Sequence, residues 1–188
     1  MGIDKAVNKA VFLDRDGVLN AAIIRDGKPY PPNGLPNVRI LPGVREAVQM
    51  LRNAGFSVAV VTNQPDVARG TQTIEVVESI NRFIGAETGV EYFYVCTHDD
   101  ADHCACRKPL PGLMHRAAAD HLLDLSRSFL VGDRWRDIAA GLAAGCRTVW
   151  IDYGYNEKAP IGHDFCTQSL LQASEWICKQ DEVQLIKR

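Results

Sequence analysis

Five short runs of consecutive apolar, β-prone residues punctuate the chain: AVFLD at 10–14, FSVAVVT at 56–62, YFYVCT at 92–97, SFLVGD at 128–133 and TVWID at 148–152. None alternates apolar with polar residues, so each predicts a strand covered on both faces, as in a parallel sheet. Helical spacing fills the intervals. Pro42 opens a helix with Val44, Ala47, Val48 and Leu51 on one side and Gly55 past its end, and Ile74, Val77, Ile80 and Ile84 mark a second. Pro111 opens a third through Leu113, Met114, Ala117, His121 and Leu122, and Ile138 to Leu142, with Gly145 beyond, make a fourth. A last helix from about Ser169 to Lys179 is expected as a terminal cover. Strands alternating with helices predict an α/β fold: a doubly wound parallel sheet with helices on both faces.

The 188 residues suit one domain spanning 1–188. Two connections are long: residues 20–41 hold four prolines without a period and predict an ordered flap, and residues 96–106 form a Cys/His-rich insertion. Neither is long enough for a separate cap domain. A net charge of −2 leaves no basic excess for a nucleic-acid backbone. The N-terminus, with Asp4 ahead of a short apolar run, reads as neither a signal peptide nor a membrane span, and Ala6 stands where a myristoylation pattern on Gly2 wants Ser or Thr. A cytoplasmic monomer without membrane or nucleic-acid partners is expected.

In an open α/β sheet ligands bind beyond the carboxyl ends of the strands, and the residues standing there are Asp14, Arg15 and Asp16, then Thr62, Asn63 and Gln64, then Asp133. Asp14 and Asp16 alternate along an extended segment, so their carboxylates point the same way, and Gly17 lets the backbone turn beside them. Like charges so close ask for a cation or for different tasks. With Asp133 they offer the hard oxygen ligands that suit Mg²⁺. Lys108 and the Thr62 hydroxyl would complete a phosphoryl clamp, with a carboxylate as nucleophile.

Six cysteines in a chain read as non-secreted predict reduced thiols or metal ligands rather than disulfides. Cys146, Cys166 and Cys178 stand alone and are expected to pack. Cys96-x-His98 and Cys104-x-Cys106 are two chelating pairs whose four donors suit a closed, structural Zn²⁺ site; His103 is an alternative to His98. Such a staple would fix the direction from which Arg107 and Lys108 enter the site.

The stretches DRDGVLN, VTNQ, CRKP and VGDRWRD, taken in this order, resemble the four successive motifs of the haloacid dehalogenase-like (HAD) phosphohydrolases over roughly residues 10–150. The resemblance implies a Rossmann-like HAD fold, Asp14 as nucleophile and Asp16 as general acid/base. It also implies Thr62, Asn63 and Lys108 around the phosphate, and magnesium held by Asp14, Asp133 and the backbone carbonyl of Asp16. Asp137 is open between a metal-side acid and a carboxylate favoured by its place in the first turn of a helix. The Cys/His insertion ahead of CRKP is similar to that of the histidinol-phosphatase and heptose-bisphosphatase group. Within it Val18, Asn20 and the VARG at 67–70 resemble the heptose form, which implies a Mg-dependent phosphomonoesterase acting on the 7-phosphate of a heptose bisphosphate, with Arg69, Arg107 and Arg134 toward a second anionic group. Pro65 and Asp66 replace the Ser-Gly of that group. Histidinol phosphate or another small sugar phosphate is the alternative substrate, and a non-catalytic zinc-organised binding module the alternative of another class.

Overall fold

The computed structural model describes residues 8–186, so the readings made on Gly2, Asp4 and Ala6 lie outside the described residues. Six strands form one parallel sheet: β1 (Lys9–Leu13), β4 (Phe56–Asn63), β5 (Tyr92–Cys96), β6 (Phe129–Gly132), β7 (Arg147–Ile151) and β8 (Phe165–Thr167), in the order β5-β4-β1-β6-β7-β8. Strand side chains alternate between two apolar layers. Val11 and Leu13 face one layer, filled by Val48 and Leu51 of α1 (Val44–Asn53), Ile80 and Ile84 of α2 (Ile74–Thr88), and Ala173 and Ile177 of α5 (Leu170–Ile186). Ala10 and Phe12 face the other, with Met114 and Ala117 of α3 (Gly112–His121) and Ala140 of α4 (Trp135–Ala143). The sheet is thus covered on both faces, and its order reverses about β1, which pairs with β4 on one side and β6 on the other. A ligand crevice belongs at that reversal.

Several local expectations change. Edge strand β5 is covered only in part, with Tyr92 exposed and Cys96 buried. Leu122 does not extend α3: it adopts a left-handed backbone (φ 54°) and faces solvent, while Leu123 takes the buried place. Helix α5 runs well past Lys179, where Asp181 is buried and pairs with Lys9 of β1. Strand β8 is three residues at the sheet edge, too short to show as an apolar run, and its Cys166 is exposed rather than packed. Inside the flap, β2 (Ile23–Arg25) and β3 (Lys28–Tyr30) pair as a hairpin over Asp26–Gly27, both at positive φ (51° and 72°). An Asp-Gly pair is the signal for such a turn.

Candidate active site

Asp14 follows β1 directly, and its backbone N–H continues the ladder onto Val131 of β6 (3.0 Å). The chain then turns at Gly17 (φ 91°), where a Cβ would lie 1.9 Å from Asp133 Oδ2. Only glycine lets the loop after β1 close over the carboxylate that ends β6. Gly132 does the same for Asp137, whose Cβ a side chain there would meet at 2.2 Å.

Lys108 is the centre of the pocket so formed. Its buried ammonium has three partners, Asp14 Oδ1 at 2.8 Å, Asp137 Oδ1 at 2.6 Å and the Val61 carbonyl at 2.7 Å, which uses all three of its protons. Burial alone would lower its pKa; Asp137 and Asp14 outweigh that and hold it above the usual lysine range. Its backbone is gripped by Asn63, which accepts from Lys108 N and donates to Lys108 O, each at 3.0 Å. The Asn63 side chain, expected at the phosphate, thus also aims the lysine, and it lines the recess with a second amide N–H uncommitted among the described residues.

Asp14, Asp133 and Asp137 each offer an oxygen within 4.8 Å of the others, all buried. Burial, opposed by Lys108 and reinforced by Asp137 and Asp16, pushes Asp14 up to about 6. Burial and then Asp137 and Asp14 push Asp133 well above the carboxylate range. Neither Asp133 oxygen has a hydrogen bond of normal geometry among the described residues, although the Tyr155 hydroxyl stands close enough to oppose the upward shift. Three buried carboxylates against one ammonium, with two orphaned oxygens, fit a hard divalent cation such as Mg²⁺. Asp137 serves two purposes: Oδ2 accepts from the Arg134 backbone at the start of α4 (2.9 Å) and Oδ1 meets Lys108.

The Asp16 carboxylate stands outside that group of three. It accepts from Gln64 Nε2 (2.8 Å), Asn20 Nδ2 (2.9 Å) and Arg15 Nη2 (3.0 Å). Gln64 also donates to the hydroxyl of Thr62 (2.9 Å), which is buried beside Lys108 and Asp14 at the bottom of the same recess.

The recess opens into a cleft of about 470 Å³ whose wall carries Lys28, Arg69, Arg107, Arg134, Arg136 and Lys158 against only Asp66, Asp100 and Glu157. In a chain of net charge −2 this is a local basic field. The three arginines expected here each have a carboxylate partner: Arg69 grips Asp99 through two bonds of 2.7 Å, Arg107 meets Asp100 at 2.8 Å, and Arg134 meets Glu157 at 3.0 Å. The bidentate grip of Arg69 holds Asp99 down to about 2. Lys28, Arg136 and Lys158 were not foreseen. Lys28 arrives on the hairpin and Lys158 on the loop after β7, far from any motif, whereas Arg136 stands two residues after Arg134.

Beside the cleft, Cys96, His98, Cys104 and Cys106 converge, with His103 outside the group. Sγ separations are 3.2, 3.5 and 3.7 Å, and His98 Nδ1 lies 3.4 and 3.6 Å from Cys106 and Cys96. A tetrahedron with Zn–S bonds of about 2.3 Å has edges of about 3.8 Å, so the four donors need only small shifts to close on such an ion. Gly112 packs so tightly under the loop that a Cβ would lie 2.3 Å from the Ala105 carbonyl.

This geometry has close counterparts. The HAD-hydrolase-like family model matches residues 105–173. A D-glycero-D-manno-heptose-1,7-bisphosphate 7-phosphatase of Thermosynechococcus vestitus is 33% identical over 90% of this chain and 95% of its own. The chain belongs to this family of HAD-like phosphatases. A β-anomer-named member from Pseudomonas aeruginosa is 36% identical over 77% of this chain and 81% of its own. The crystal structure of the B. bronchiseptica D,D-heptose 1,7-bisphosphate phosphatase, complexed with magnesium and phosphate, superposes with a TM-score of 0.77 at 31% identity, covering 92% of this chain and 99% of that one. The sheet, its strand order and the covered faces are those of a Rossmann-like HAD phosphatase, and this protein is a phosphatase hydrolase. Among the described residues no helix is long and apolar enough to cross a membrane.

Proposed function

We propose that this protein removes the 7-phosphate of D-glycero-D-manno-heptose 1,7-bisphosphate with Mg²⁺ through an aspartyl-phosphate on Asp14. The observation that carries the reading is the junction of two spaces, a recess floored by Asp14, Thr62 and Lys108 and a cleft with six cations on its wall. One suits a reacting phosphoryl group and the other a second phosphate on the same small molecule.

In the first step an Asp14 oxygen attacks phosphorus while the bond to the sugar oxygen breaks; that oxygen keeps the electron pair and takes a proton from Asp16. In the second, Asp16 takes a proton from water as the water oxygen attacks phosphorus, which frees the Asp14 carboxylate and inorganic phosphate. Lys108 holds positive charge against the transferring group throughout, and Thr62 offers a hydroxyl to a phosphoryl oxygen. Asp14, Asp133 and the backbone carbonyl of Asp16 would hold Mg²⁺, with Asp137 behind them; when bound, the ion supplies charge that offsets the developing anion. Cys96, His98, Cys104 and Cys106 would hold Zn²⁺, which when bound would tie down the loop that delivers Arg107 and Lys108.

Histidinol phosphate is the second reading, but it carries one phosphate and a cationic amine, which the excess of basic over acidic side chains on the wall disfavours. A non-catalytic module is disfavoured because Asp14, Asp16, Lys108 and Asp133 are all in place. The test is phosphate release with Mg²⁺ for both anomers of the heptose bisphosphate and for histidinol phosphate. A preference of about a hundredfold in kcat/KM, roughly 2.7 kcal/mol, for one heptose anomer is expected. If histidinol phosphate is hydrolysed best, the substrate assignment fails.

A further inference from the structure

Arg15 is a charge for which the reaction above has no use. Its side chain is wholly buried, and its guanidinium has two partners among the described residues: Nη1 donates to Asn81 Oδ1 (2.9 Å), and Nη2 and Nε donate to Asp16 (3.0 and 3.2 Å to Oδ2). Stripping a guanidinium of water is costly unless its partners are fixed. Asn81 is equally out of place. It lies on the buried side of α2 between Val77, Ile80 and Ile84, a face otherwise apolar up to Thr88 in the last turn, and is 7% exposed.

We propose that Asn81 is a positioning residue for Asp16 and acts through Arg15. A guanidinium is a rigid planar fork, so anchoring Nη1 on α2 fixes the plane, and with it the edge formed by Nε and Nη2. That edge meets Asp16, whose oxygens also accept from Gln64 and Asn20. Oδ2 is engaged by Arg15 and Gln64, while Oδ1 takes Asn20 and only a long 3.3 Å contact from Arg15, so Oδ1 keeps room for the proton and the side chain is held in one orientation toward the recess it shares with Asp14. Asn81 touches neither substrate nor metal; it sets where the Asp16 proton is delivered when the bond to the leaving oxygen breaks. The inference deepens the proposed function, since it rests on Asp16 being the acid.

The test compares leaving groups. An alkyl oxygen needs a proton as it departs, whereas p-nitrophenolate leaves without one. The alkyl ester used is whichever alkyl phosphomonoester the wild-type protein hydrolyses fastest, so a wrong sugar assignment does not enter. In Asn81→Leu, which keeps volume and removes the acceptor, the ratio of alkyl to p-nitrophenyl kcat/KM, which reports transfer to Asp14 and not the hydrolysis both esters share, is expected to fall about tenfold. In Asn81→Asp, which keeps an acceptor oxygen for Arg15, the ratio is expected to stay within about threefold of wild type. If the leucine variant does not fold, Asn81→Ala, too short to crowd the helix face, takes its place. An unchanged kcat/KM ratio, or a parallel fall in kcat/KM for both esters, overturns the positioning role; a parallel fall in kcat alone reports Asp16 as the base of the shared hydrolysis step and is read apart from the ratio. Asp16→Asn separates the two levels: a ratio that does not collapse there means the acid was misassigned, and the role of Asn81 falls with it.

Discussion

Lys108 Nζ lies 2.8 Å from Asp14 and 2.6 Å from Asp137, so one buried ammonium links the acid after β1 to an acid in the first turn of α4. Removing it strands like charges in a dry pocket, which costs about 3–5 kcal/mol for a buried pair. Lys108→Met should therefore lower Tm in Mg-free buffer, and Mg²⁺ should restore much of the loss by neutralising the same carboxylates. Activity should not return with it; kcat should remain at least about 10³-fold down, because the charge facing the transferring phosphoryl group is gone. Thermal melts with and without Mg²⁺, beside phosphate-release kinetics, check both halves.

The raised pKa of Asp14 has a consequence in metal-free protein. The folded carboxyl, at about 6, holds a proton that the unfolded chain gives up near 3.8. This contribution to stability is fully present below the lower value and is lost as pH rises through the upper one, on the order of 3 kcal/mol in total. Mg²⁺ binds the ionised form and must displace that proton. The Mg²⁺-induced rise in Tm should accordingly be small near pH 5 and large near pH 7.5; equal shifts at the two pH values would contradict the assignment of Asp14 as a ligand.

The donors at the Cys/His loop predict a separable effect. Cys104→Ser leaves three of four ligands and should release Zn²⁺ measurably by a chromogenic chelator. Since Lys108 lies two residues beyond Cys106 and is held from the other side by Asn63, kcat should fall by about tenfold or more in Mg²⁺-saturated buffer. Retained kcat with zinc lost would show that Asn63 and the packing of Gly112 aim the lysine unaided.

Much of this was readable in advance because it depends on spacing along the chain. Asp14, Thr62 and Asp133 each follow an apolar run directly, with Asp16 two residues beyond Asp14, and a strand places whatever follows it at the sheet's carboxyl edge. The cysteine pairs are likewise local. What stayed hidden depends on long-range approach: Lys28 and Lys158 reach the cleft on a hairpin and a distant loop, and Asn81 looks like one polar interruption in a helix until Arg15 meets it across 66 positions. Strand β8 was missed for another reason, since three residues at an edge carry no period.

The wall of the cleft gives the last prediction. Lys158 sits over the Trp135 ring, 3.6 Å from its centroid, and has no carboxylate partner among the described ion pairs, unlike Arg69, Arg107 and Arg134. An arginine already neutralised must break a pair to receive an anion, whereas this lysine is stacked in place with its charge uncommitted. Lys158→Met should then raise KM for the bisphosphate by about tenfold, the loss of one charge-assisted contact. It should leave kcat and the KM for a one-phosphate sugar ester nearly unchanged, because the second phosphate is the only group the lysine would meet. If both esters lose affinity alike, Lys158 supports the cleft through Trp135 rather than binding the distal phosphate, and Arg136 becomes the residue to test in its place.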